Sequence, residues 1–96
     1  MSAGFNQYMR ISDADAANRL QRWRDAKTPV NILFASHKEG QRLGRVRDVY
    51  SGSFTFEWVD GHVEEWSYAG TIADISPDGS KLSLQSMNEM IVIFEG

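Results

Sequence analysis

Apolar and polar residues change period along the chain. Between Ser12 and Lys27, Ala16, Leu20 and Trp23 recur at the i, i+4, i+7 spacing that places them on one helix face. Ser12-Asp13-Ala14-Asp15 supplies a hydroxyl at the N-cap and an acid three residues later, a variant of the capping box. Asp13 and Asp15 at the start, with Arg22, Arg24 and Lys27 at the end, suit the helix dipole. Pro29 stops the helix and pushes Thr28 towards extended geometry. The pattern predicts a helix over 12–27, with the stem of Lys27 continuing its apolar face. Arg19, Arg22 and Arg24 read as its solvated face, Asp15 standing four residues before Arg19, with a basic patch for an anionic partner as the other reading.

From Pro29 the period becomes two. Val30, Ile32 and Phe34 alternate with Asn31, Leu33 and Ala35, so this strand is apolar on both faces and burial on two sides is expected. Further strands are predicted over 42–50, 53–59, 62–68, 71–75, 81–85 and 90–94. Asp60-Gly61 between two aromatic-rich runs is the signature of a two-residue hairpin loop. Ser76-Pro77-Asp78-Gly79 fits a type I turn. Phe54, Phe56 and Trp58 point to one face; a chain this small needs them in its core, although such a stripe could also stack bases. Met90 to Phe94 is a continuous apolar run, which implies cover on both sides or a partner surface. Residues 1–11 read as irregular.

Gly44 inside a strand predicts a bulge or bend. A bulge there brings Arg42 beside Arg45 and Arg47, and with Lys38 these form the best basic cluster in the chain, a candidate site for an anionic partner. His37 sits on the polar turn 36–40 and reads as a solvated side chain. A two-residue loop at Asp60-Gly61 would set Glu57 across from Glu64 with His62 nearby. A bulged turn would shift the register by one and separate them, and no metal site is assigned.

Composition narrows the classes. Ninety-six residues, 42% hydrophobic and 24% charged, give one ordinary globular domain over 1–96 with a modest core. The net charge of −3 argues against a protein that binds nucleic acid chiefly through phosphates. The absence of cysteine excludes disulfides and thiolate chemistry. No stretch approaches the length of a membrane span or signal segment, so the expected location is the cytoplasm and no membrane partner is expected. Nothing marks a nucleophile with its base or a paired-carboxylate cleft, so the chain reads as non-catalytic and without a cofactor.

The order of a helix ending in Arg22-Trp23-Arg24, then Pro29-Val30-Asn31-Ile32, then a β meander resembles the Sm-like superfamily, and within it the bacterial host-factor branch. The likeness runs from Leu20 to Pro77. Gly44-Arg45-Val46, Val49 and Phe54 to Phe56 follow the family's first signature, and Tyr68-Ala69-Gly70-Thr71-Ile72, ending at Ile75-Ser76-Pro77, has the length of its second. The family's aspartate falls on Tyr50, its asparagine on Phe54, and the lysine and histidine that hold uridines on Ala69 and Gly70. The resemblance therefore implies the fold and not the RNA site. The implied fold is mainly β: a small, strongly bent antiparallel SH3-like or Sm-like barrel with one N-terminal helix, about 12–27, and an extra C-terminal β-hairpin from Lys81 to Phe94. Family members commonly form rings by pairing the fourth and fifth strands of neighbours, so the resemblance also implies a homo-oligomer, with RNA as a further partner. The hairpin would cover that edge or build a different oligomer. Asp74-Ile75-Ser76-Pro77-Asp78-Gly79 also fits the D-x-S-x-x-G of PilZ domains, which bind cyclic dinucleotides, and is similar to the turn of propeller blades. No R-x-x-x-R arm accompanies it, so turn chemistry accounts for it. Two function classes follow: a self-assembling, RNA-contacting Sm-like barrel, and a protein-interaction or structural module with no nucleic-acid role.

Overall fold

The computed structural model describes residues 8–34, 41–87 and 89–95, with backbone alone at Gln41 and Arg42. Among the described residues it is mainly β with a single helix. The described elements are β1 (Met9–Ile11), α1 (Asp13–Ala26), β2 (Val30–Phe34), β3 (Gln41–Val49), β4 (Ser53–Trp58), β5 (Val63–Ser67), β6 (Ile72–Ile75), β7 (Lys81–Gln85) and β8 (Met90–Glu95).

The helix begins and ends by local chemistry. The Ser12 hydroxyl accepts the Asp15 N–H at 3.1 Å, which satisfies one of the orphan donors of the first turn. At the other end Thr28 N–H bonds Trp23 C=O and Lys27 N–H bonds Arg24 C=O, both at 3.1 Å. This is the Schellman pattern. Lys27 stands at its left-handed position, φ 54°, and so does not extend the buried face, which consists of Ala16, Leu20 and Trp23.

All strand pairs are antiparallel, in the order β1-β6-β7-β8-β2-β3-β4-β5. Two meanders, β2–β5 and β6–β8, join where β8 pairs β2. The predicted C-terminal hairpin, β7–β8, therefore lies in the middle of the sheet. Residues directly opposite share a face. Val30, Ile32, Val46, Phe54, Phe56, Trp58, Leu82, Leu84, Ile91 and Ile93 fall on one side and form the core with the buried face of α1. The Trp23 indole N–H donates to the Glu95 carboxylate at 2.8 Å, and Arg19 lies over the Trp23 ring, so the helix is fastened near the end of β8.

Several expectations change. The sheet of the described residues is open, not closed: β1 and β5 are its edges. β5 and β6 are consecutive yet unpaired because their link is tied elsewhere. Tyr68 N–H and Ala69 N–H both donate to Gly52 C=O, and Thr71 Oγ1 donates to Tyr68 C=O at 2.7 Å. Met9–Ile11, expected to be irregular, pairs with β6. Its apolar-polar-apolar alternation, Met9-Arg10-Ile11, is that of a short strand.

Gly44 keeps regular register, opposite Val30 and Trp58. A Cβ there would lie 2.3 Å from Glu57 O and 2.5 Å from Phe56 Cε2, so the glycine exists to let the Phe56 ring cross β3. The bulge lies three residues on, where the register shifts between Val46 and Asp48. The Asp60-Gly61 loop is also one residue longer than expected: Trp58 N–H bonds His62 C=O and Gly61 N–H bonds Trp58 C=O, with Gly61 at φ 93°. This is the three-residue loop with glycine in the left-handed position.

Candidate functional site

The predicted basic cluster is only partly assembled. Lys38 and the side chain of Arg42 lie outside the described residues. Because Gly44 is not bulged, nothing between Arg42 and Arg45 alters the strand alternation. Arg45 donates through Nε and one terminal nitrogen to Glu57 Oε1, at 3.2 and 3.0 Å. Glu57 sits directly across the ladder from it. Arg47, at the bulge, lies 3.8 Å from Asp48 Oδ2. Both described arginines of the cluster thus face a carboxylate, which reduces the positive field an anion would meet.

The acid and histidine group near the hairpin is split by register. Glu57 pairs with Val63 and Phe56 with Glu64, so the two carboxylates point to opposite faces. His62 Nε2 lies 3.5 Å from Glu64 Oε2. The stretch Asp74 to Gly79 is absorbed in local bonding. Asp74 accepts from Arg10 at 2.9 Å. Asp78 Oδ1 accepts from the hydroxyls of Ser76 and Ser80 and from Ser80 N–H. These donors, the Ser80 N–H first, hold the Asp78 carboxyl down at about 2.

What the sequence did not single out is the outward face of the sheet. Register aligns Lys81, Phe94, Asn31 and Leu43 in one row across β7, β8, β2 and β3, and Ser83, Val92 and Leu33 in the next. Val59, 76% exposed, joins the first row through its N–H bond to Leu43 C=O. Leu33 and Leu43 are 38% and 44% exposed, Val92 and Phe94 are half-buried, and Asn31 is buried between Phe94 and Leu43. The centre of the sheet therefore carries an outward apolar strip on strands whose inward face is already the core. Beside it a cleft of about 300 Å³ is lined by Lys27, Pro29, Leu43, Arg45, Trp58 and Val59, among others.

A signal for this strip was present in the sequence. Val30 to Ala35 and Met90 to Phe94 are apolar at both parities, which a one-sided sheet does not need. The alternation of β8, with Ile91 and Ile93 buried and Met90, Val92 and Phe94 half-exposed, decides for an uncovered second face among the described residues. No helix among the described residues is long and apolar enough to cross a membrane. Comparison of the chain with protein-family models, with curated proteins and with solved structures gave no match.

Proposed function

We propose that the protein is a non-catalytic interaction module that self-associates through the outward strip of β8, β2 and β3. One observation carries this reading: the side-by-side exposure of Leu33, Leu43, Val59, Val92 and Phe94 in the middle of the sheet. Contiguous apolar surface rimmed by polar residues marks docking sites. The rim carries both signs, with Arg45 beside Glu57 and Lys81 in line with Phe94. A two-fold arrangement of such a surface can set each sign against its opposite.

Kinship with Sm-like barrels belongs to the same proposal. Its support is a capped helix followed directly by the meander β2–β5. RNA contact through Lys38, Arg42, Arg45 and Arg47 is the reading the geometry favours less, since Arg45 would have to leave Glu57 to reach a phosphate.

The test is mass in solution over a range of concentrations, with Leu43→Glu and Val59→Glu as variants. Both positions are exposed, so the fold should survive. The expected result is a wild-type dimer that each variant reduces to a monomer with unchanged circular dichroism. A wild-type monomer at every concentration would sink the reading. Titration with short uridine- and adenosine-rich RNAs at two salt concentrations tests the other arm. Binding that weakens as salt rises would restore the arginine cluster as the site.

A further inference from the structure

The sheet has a second unpartnered feature, at its rim. Among the described residues β5 pairs with β4 alone. Trp58 N–H bonds His62 C=O before β5, and Tyr68 N–H bonds Gly52 C=O after it. These two bonds bracket the strand and fix its alternation. Glu64 and Trp66 spend their backbone groups on β4, while Val63, Glu65 and Ser67 turn theirs to the open side.

An edge of this kind templates another strand unless it is guarded. β5 has no proline, no lysine and no bulge. What it carries is two adjacent carboxylates, Glu64 and Glu65. In an antiparallel pairing with a second β5 centred on Glu65, that residue would meet its own copy, and like charges directly opposite repel. The guard is thus selective: it disfavours a second copy of this strand and favours a cationic one.

Beside the edge lies a small cavity of about 150 Å³, lined by Trp66, Ser67, Thr71, Leu84 and Ile91 among others. Its walls come from β5, from the link to β6 and from the ends of β7 and β8. Trp66, half-buried, forms one wall and belongs to the inward parity of β5.

We infer that the free edge of β5 accepts an extended basic peptide segment by strand addition. An apolar side chain next to Trp66 enters the cavity, and the two residues following it, lysine or arginine, stand beside Glu65 and Glu64. Main-chain bonds to Val63, Glu65 and Ser67 supply affinity, and the cavity with the two carboxylates supplies selectivity. This site is separate from the outward strip and does not depend on self-association.

The probe is a short capped peptide of alternating valine and threonine with leucine-arginine-lysine at its centre, titrated calorimetrically against the whole chain. The expected result is saturable binding that a peptide with glutamate in place of both cations lacks. Glu65→Lys should weaken it about tenfold by replacing an attractive cross-strand pair with a repulsive one. Glu65→Pro should abolish it, because that N–H faces the open edge and its loss leaves the β4 ladder intact. Leu43→Glu, on the other face, should leave it unchanged. Equal binding of the acidic peptide, no binding of the basic one, or full binding by Glu65→Lys would overturn the inference. So would a wild-type dimer that Glu65→Lys strengthens or abolishes, since a second copy would then occupy the edge.

Discussion

Single residues hold the turns that set the register. Tyr68 is buried, and its hydroxyl donates to Tyr50 C=O at 2.5 Å and accepts Gly52 N–H at 2.9 Å. One side chain past β5 therefore closes the β3–β4 turn. Tyr68→Phe keeps the ring and strands both partners, so a loss of about 2 kcal/mol is expected in denaturant unfolding. Asp78 plays the matching part between β6 and β7. Its carboxyl is held at about 2 against an ordinary 3.8. The folded value is the lower one, so the unfolded chain takes up the proton first as pH falls. The contribution of Asp78 is complete above the ordinary value and fades as pH drops from 3.8 towards about 2. Asp78→Ala should flatten the dependence of the unfolding midpoint on pH in that window, relative to wild type, and leave its form above pH 5 unchanged. A variant with the wild-type slope would remove Asp78 from the account of acid sensitivity.

Elements were legible where one local rule decided them. Ser12 and Pro29 bracket the helix in the sequence and in space, and each predicted strand is found within a residue or so of its place. What escaped sequence reading depended on a partner. The bulge sits at Arg47, while Gly44 answers to the Phe56 ring, a contact between residues twelve apart in the chain. The edge status of β5 follows from the tether of its link to Gly52, and periodicity is blind to that. The outward strip was half visible, as two runs apolar at both parities, but only the ladder sets Phe94 and Leu43 in one row. Lys27 is a case where the local rule was available and the residue breaks it. It occupies the left-handed Schellman position, φ 54°, which costs a side-chain-bearing residue about 1–2 kcal/mol. Glycine there loses part of the gain through unfolded-state entropy. Lys27→Gly should still stabilise the protein, by about 0.5 kcal/mol, read as a higher melting temperature. A lower one would mean that the lysine stem makes contacts worth more than the backbone strain.

At the scale of the molecule, the order of strands decides which part of the chain the rest depends on. β8 joins the two meanders, since β2 pairs β3 on one side and β8 on the other. It also supplies Ile91 and Ile93, both buried, and the carboxylate of Glu95 that receives the Trp23 N–H. Burying two isoleucines is worth roughly 3–6 kcal/mol, which is comparable to the whole stability of a small domain. Backbone pairing on both sides of β8 comes in addition. A chain ending at Gln85 should therefore lose its cooperative unfolding transition and bind a dye for exposed apolar surface, as collapsed chains without fixed packing do. Adding the segment from Met87 to Glu95 as a separate peptide should restore the transition, because it brings back the ladders to β7 and β2 on both sides and the core contacts below them. If instead the shortened chain melts cooperatively on its own, the elements before β8 fold without it. The last strand would then be an addition to a unit that folds alone, not the piece that holds the sheet together.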